Sequence, residues 1–492
     1  MNRFLSGLVL VCCIFISCTP MKKNYSPYSK YSRQTLQKDY TLLRNILEKK
    51  HPSIYWYTSK DSMDGYFNQY YRAISDSMNE GQFAWQILAP LIEKIHCGHT
   101  SVSFSKEYVK WVQGKKFAAF PLYVKVWNDT MAVIGNLHPK DSVFKRGTLI
   151  TSVNGLSNKQ MISKMFGYLP EDGYADNSNY IRLSANFPYY HRNIFGLSKT
   201  YRVGYLDSNN IEKIVSVPVF TPVKDTSKKD SLVKITRPPK PPKQNRLLQY
   251  RSLQIDSSGK FAVMTLNGFT KGHLRRFFRK SFKELHSKNV DDLVLDIRNN
   301  GGGKVGLSTL LTKYISRQPF KVADTVYAVS HSLAPYTKYI KGRFLNNIEL
   351  FFASKKRRDG KYHLGLLERK LYKPKQNNHY NGNVYVLTNG PTFSAAALFC
   401  NAVKGQDGIK LVGEETGGGW HGNSGIMIPD ITLPNTHLRV RLPLFKLVQY
   451  KHVSKTGTGI IPDIYVGTSY DALMKGYDKK MEVVKKMILE NK

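Results

Sequence analysis

Ser394 is the residue of this chain best placed for nucleophilic chemistry. It follows Val384–Leu387, an apolar, β-branched run that reads as a buried strand, and a Gly390-Pro391 turn. An Ala-rich segment comes next, with Leu398 and Ala402 one helical turn apart. At such a strand–turn–helix entrance a serine hydroxyl is held off the sheet. The first N–H groups of the helix lack intrahelical partners and can receive an oxyanion. A serine there can equally be a plain N-cap, so the reading depends on what other segments supply.

His99 ends the segment Glu93-Lys-Ile-His-Cys-Gly-His99-Thr-Ser101 in a Gly turn, and a neutral imidazole could take the serine proton. Asp296-Ile-Arg-Asn-Asn-Gly-Gly-Gly303 follows an apolar strand, and its glycines let backbone N–H groups turn toward a ligand. Gly413-Glu414-Glu415-Thr-Gly-Gly-Gly-Trp-His421-Gly422 follows the next strand. It offers two carboxylates that could orient His99. It also offers His421, which reads either as a lining of a substrate channel or as an exposed loop histidine. His96, Cys97, His99 and His421 could also be zinc ligands. Two histidines three residues apart at a helix end, however, point in different directions unless the turn is regular. The expectation is no metal and no cofactor.

The elements that must position these residues fall into distinct stretches. Residues 32–105 carry helical stripes, Leu36, Tyr40, Leu43, Leu47 and then Phe83, Ile87, Leu91, Ile95, with Pro90 a candidate kink. Residues 106–220 change to short strands and turns, including a strand closed by the Asn154-Gly155 turn. Residues 221–248, with Pro238-Pro-Lys-Pro-Pro242, cannot form a core and read as a linker. From 249 to 475 strands and helices alternate, which argues an α/β domain with a largely parallel sheet. A basic insert (Lys355-Lys-Arg-Arg358) reads as a solvated loop that could cover the site, and 476–492 as a C-terminal helix.

The chain has 492 residues, 41% of them hydrophobic and 12% aromatic, so it builds real cores. Its net charge of +39 could attract nucleic acid or an anionic membrane. No zinc finger, RNA-binding sheet signature or basic amphipathic helix accompanies the charge, so no specific nucleic-acid partner is expected. Arg3 and the apolar run Phe4–Ile16 read as an export signal over residues 1–17. The sequence Phe15-Ile16-Ser17-Cys18 resembles a bacterial lipobox, with Cys18 the lipidated first residue of the mature chain and 18–31 a tether. The expected location is therefore the cell envelope, lipid-anchored to a bacterial membrane and facing the periplasm or the cell surface. Beyond the signal and the lipidated Cys18 only Cys97 and Cys400 remain, so at most one disulfide is available.

Taken together and in order, the motifs resemble the tail-specific, or C-terminal processing, serine peptidases, a family that includes the tricorn core and the retinoid-binding-protein repeats of the eye. Its L-R-x-N-x-G-G hallmark appears as Ile297–Gly303, its T-x-S-A segment as Thr392–Ala395 and its V-G-E-x-T-x-G as Val412–Gly418. Its G-H-T-S-V appears as Gly98–Val102 and its G-V-x-P-D as Gly459–Asp463. Arg146–Gly155 resembles the groove-flanking strand of a PDZ domain, with Thr148 where Asp is usual. The resemblance implies an α/β crotonase- or ClpP-like catalytic core, an inserted PDZ-like β-rich domain and a helical N-terminal domain. It implies Ser394 as nucleophile, with an oxyanion hole from the N–H groups of Gly302 and Ala395, and a protein or peptide substrate. Members with a Ser–Lys dyad carry the lysine where this chain has Gly419. The match is therefore to the tricorn-like and retinoid-binding branch, with His99 as general base. Thr456-Gly457-Thr458-Gly459 stands where the tricorn pattern has an acid, leaving Glu414 or Glu415 as the orienting candidates. The alternative on this fold is an inert protein that binds peptides or hydrophobic ligands.

Overall fold

The computed structural model of the chain describes residues 25–222, 243–257, 259–450 and 453–490. The export signal, Cys18 and most of the Pro-rich linker lie outside the described residues.

Helix α1 (Arg33–Lys50) buries Leu36, Tyr40, Leu43 and Leu47, and His51 caps it just before Pro52. Helix α2 (Lys60–Arg72) packs Met63 and Phe67 against it. The second stripe does not simply kink at Pro90. It opens into a wide π-turn over Phe83–Leu88, with the Ala89 N–H reaching back to the Ala84 carbonyl, before helix α3 (Ala89–Glu93) resumes. Proline has no N–H to offer the preceding turn, and the wider turn absorbs that loss.

The next stretch is an antiparallel sheet in the order β1 (Leu122–Trp127), β2 (Thr130–Asn136), β3 (Leu149–Val153), β4 (Thr200–Leu206) and β5 (Glu212–Pro218). Asn154 and Gly155 take positive φ (50° and 81°) in the tight turn after β3, as hairpin geometry requires. Helices α4 (Asn158–Phe166), α5 (Asn177–Ala185) and α6 (Phe187–Phe195) come between β3 and β4 and share one core with this sheet.

The rest is α/β. Strands β6 (Arg251–Ile255), β7 (Phe261–Leu266) and β8 (Asp292–Asp296) are separated by α7 (Leu274–Ser287) between the last two. Next come helix α8 (Val305–Ile315) and strand β9 (Ala323–Ala328). They are followed by β10 (Asn383–Thr388), α9 (Ala395–Val403), β11 (Ile409–Gly413), β12 (Gly422–Ile426), β13 (Phe445–Gln449), β14 (Ile464–Tyr465) and α10 (Lys479–Glu490). The main sheet runs β6-β7-β8-β10-β11-β14, parallel except for the β6–β7 pair. Helices α7, α8 and α9 cover one face and α10 the other. Burial on both faces explains why the β10 run is continuously apolar rather than alternating. A second, antiparallel sheet ends β9-β13-β12, and β12 is its edge strand. The basic insert contains a helix, Arg343–Ala353, ahead of the short strand Lys355–Lys356, so it is more than a loop.

Candidate active site

The turn between β10 and α9 places Ser394 as the N-cap of the helix, but its side chain makes no capping bond. Its backbone is instead strained, at φ 54° and ψ −121°, a conformation L-residues rarely adopt. That geometry turns the hydroxyl away from the helix. The Leu398 N–H closes the first helical turn onto the Ser394 carbonyl. Ala395, the first helical residue, has an N–H with no place in the helical ladder.

His99 reaches this serine from the N-terminal helical unit. Its ring lies 4.6 Å from that of Phe393, centroid to centroid, so the histidine rests on the residue just before the nucleophile candidate. The decisive packing is at Gly425 in β12. A Cβ built there would lie 2.9 Å from His99 Nε2 and 3.1 Å from Ser394 Oγ. Imidazole and hydroxyl therefore face each other across a position that only glycine leaves open. Both ring nitrogens of His99 are buried and lack hydrogen-bond partners, which leaves Nε2 available to the serine.

The carboxylate beside His99 is Asp172. Its Oδ1 lies 3.6 Å from His99 Nδ1, with both side chains almost fully buried, and accepts the Gly98 N–H at 2.8 Å. Asp172 sits in the turn between α4 and α5, held there by the Gly173 N–H, which donates to the His96 carbonyl at 3.0 Å. The two carboxylates expected to orient the base are turned elsewhere. Glu414 is ion-paired with Lys480 of α10. Glu415 accepts the Gly459 N–H at 2.5 Å, and burial raises its carboxyl above the usual range. Both lie just past the end of β11, where Lys480 and the Gly459 N–H, not His99, are their partners. Reading the sequence alone missed Asp172, because Pro170-Glu-Asp-Gly173 looks like any polar turn and lies 73 positions from its partner.

The glycine loop after β8 approaches the same turn. Gly302, at φ +90°, comes so close that a Cβ would lie 2.7 Å from Ser394 Cβ and 2.8 Å from the Ala395 nitrogen. Its own N–H, however, donates to Asn300 Oδ1 at 3.0 Å. Of the expected oxyanion pair, the Ala395 N–H has no hydrogen-bond partner among the described residues, whereas that of Gly302 is taken by Asn300. Gly419 packs against Asp172 Cβ and pairs with Gly459, closing the loop over the site where a dyad lysine would stand. His421 donates from Nδ1 to the Val453 carbonyl at 2.8 Å and leans on Trp56, with ring centroids 5.7 Å apart.

The four residues considered as zinc ligands do not converge. His96 Nδ1 faces Glu171 Oε1 at 3.4 Å, in a group with Glu93. Cys97 lies with His99 and Asp172, and His421 stands apart from both groups. Burial pushes the Cys97 thiol up to about 12, so it is a poor source of thiolate. Cys97 and Cys400 are both free and buried.

Residues 260–466 match peptidase family S41. The chain carries a serine-type peptidase domain of that family. The structure is similar to that of mature CPAF complexed with lactacystin, at TM-score 0.62 and 15% identity, covering 93% of this chain and 98% of that one. Mature CPAF matches at TM-score 0.62 and 15% identity, covering 93% and 97%. A photosystem II D1 C-terminal processing protease is similar at TM-score 0.40 and 13% identity, covering 91% and 98%. No curated protein matches this chain significantly in sequence. The CPAF likeness extends the shared fold beyond the S41 match, over the helical unit and the β1–β5 unit that supply His99 and Asp172.

Proposed function

We propose that this S41 domain is a cell-envelope serine endopeptidase that cuts unfolded or C-terminal protein segments. In this reading Ser394 Oγ attacks the scissile carbonyl while His99 Nε2 takes its proton. Asp172 holds the imidazole and balances the imidazolium charge. The Ala395 N–H, joined by Gly302 once Asn300 lets go, receives the oxyanion. His99 then returns the proton to the leaving amine, and water resolves the acyl-enzyme. The observation that carries the reading is the meeting of His99 Nε2 and Ser394 Oγ across Gly425, with a buried carboxylate behind the histidine. At 3.6 Å the Asp172–His99 pair needs only a small approach, on substrate binding, to form a direct hydrogen bond.

A second reading, an inert binding protein on the same fold, draws on the His99 ring having no hydrogen bond and on the occupied Gly302 N–H. A fluorophosphonate probe separates the two. Labelling of the wild type that vanishes in Ser394→Ala, together with casein cleavage lost in the same variant, supports the peptidase. Absent labelling with intact folding supports the binder. The envelope assignment rests on the Ser17-Cys18 lipobox. Cys18→Ala should move the protein from the membrane to the soluble envelope fraction. Unchanged fractionation without a diacylglyceryl mass would reject the anchor.

A further inference from the structure

A row of aromatic rings leads away from the site and ends among lysines. The Tyr57 ring sits 5.3 Å from that of Trp56 and 5.9 Å from that of Tyr174, and its hydroxyl is held above the usual range by burial, with the Asp172 charge adding to it. Lys455 places its ammonium 5.2 Å from the Tyr57 ring. Lys446, on β13, holds its own 3.8 Å above Trp56. Lys361 lies 4.2 Å over Tyr327, a ring that Lys446 also approaches at 5.9 Å.

None of these three ammonium groups makes an ion pair among the described residues, although other lysines of this chain do. Lys446 is the telling one. It is partly buried, and burial, with Lys455 and Lys361 adding their repulsion, lowers its proton affinity to about 7. A cation held against aromatic faces keeps part of its solvation through the ring quadrupole. Without an anion the arrangement still carries an uncompensated charge.

The row is continuous with the reacting atoms. A Cβ on Gly422 would meet Trp56 Cη2 at 2.9 Å, while Gly425 on the same strand faces Ser394 and His99. The two glycines are three positions apart with a register shift between Asn423 and Ile426, so at most about 10 Å separates them. A peptide lying along β12 with its scissile bond at Ser394 would bring a side chain roughly three residues away under Lys446 and Lys455.

We propose that Trp56, Lys446 and Lys455 form a subsite for a substrate carboxylate, selecting segments with an acidic residue about three positions from the cut. The proposal rests on the peptidase reading for its register, but the subsite can be tested by binding alone. The probe is a rhodamine-labelled decapeptide with a central Asp-Glu pair and an amidated C-terminus, titrated against full-length Ser394→Ala by anisotropy at 150 mM salt. Its companions are an Asn-Gln version and an Asn-Gln version with a free C-terminal carboxylate.

Lys446→Met/Lys455→Met should weaken the acidic peptide at least tenfold and leave the amidated Asn-Gln peptide within twofold. Lys355→Met/Lys356→Met, which removes the same charge from the exposed far edge of the same sheet, three strands from Lys446, should change neither peptide by more than twofold. An equal effect from both variant pairs would mean that the +39 surface alone attracts the peptide, and would overturn the subsite. So would equal losses for acidic and amidated neutral peptides. If the free-carboxylate peptide alone responds, the subsite reads chain ends, and the claim for acidic side chains is wrong. Failure of the peptidase reading shows elsewhere, as an unlabelled Ser394 in the fluorophosphonate experiment.

Discussion

Asp172→Asn tests the acid that the fold brings to His99. The substitution keeps the shape and leaves Oδ1 able to accept the Gly98 N–H, now at 2.8 Å, so the loop should stay in place. What it removes is a full negative charge 3.6 Å from His99 Nδ1. Two unit charges at that separation interact by about 4.6 kcal/mol at an effective dielectric near 20, which is a ceiling of roughly three decades in rate. At 3.6 Å no direct hydrogen bond joins the pair, so part of that ceiling is realised only when substrate tightens the site. The expected loss is about 10²- to 10³-fold in kcat with KM nearly unchanged, because the charge acts on the imidazolium formed in the transition state. The assay is steady-state cleavage of a fluorogenic peptide, with fluorophosphonate labelling rates alongside. Glu414→Gln and Glu415→Gln, assayed in parallel, should each stay within about threefold of the wild type in kcat. Near-wild-type kcat in a folded Asp172→Asn, or a larger loss in Glu415→Gln, would refute the reasoning.

Gly425→Ala puts a methyl group 2.9 Å from His99 Nε2 and 3.1 Å from Ser394 Oγ. It should cut kcat/KM by at least about a hundredfold while the melting temperature stays within a few degrees; retained activity would separate the two groups. Ser394→Gly should be more stable than Ser394→Ala by about 1 kcal/mol in urea unfolding, since both lack the hydroxyl and only glycine accepts φ 54° without strain. Equal stabilities would remove the strain. Burial holds His51 near 3 and His191 near 4, both below the ordinary value of about 6.5. The unfolded chain therefore binds protons that the folded chain refuses. Stability should fall as pH drops below about 6.5, by about 1.4 kcal/mol per unit for each histidine until its folded value is reached. His191 lies among Phe120, Phe187, Phe195 and Tyr201. His191→Phe should remove one histidine's share of the slope between pH 6.5 and 5, and an unchanged slope would reject its part in it.

The sequence by itself determined whatever depends on near neighbours. The apolar run Val384–Leu387, the Gly390-Pro391 turn and the Ala-rich segment after it become β10, a turn and α9, so the entrance holding Ser394 follows from local periodicity. The α/β alternation after Gln249, the Asn154-Gly155 turn and the end of α1 before Pro52 are local for the same reason. Motif order placed His99, Gly302 and Ala395 in one family pattern, and the structure sets them around one turn. What tertiary structure alone decided is how partners far apart in the chain meet. Asp172 reaches His99 because the β1–β5 unit folds back onto the helical unit through the Gly98 and Gly173 N–H groups. No periodicity encodes that return. Glu414 and Glu415 looked eligible because they follow a strand beside a glycine run, but α10, arriving from the chain's end, claims Glu414 through Lys480. Gly425 belonged to no motif, since its part is to lack a side chain where two other elements converge. The pairing of Lys446 with Trp56 is likewise invisible in sequence, because a lysine in a strand reads as solvated until the sheet and the Trp56 loop close over it.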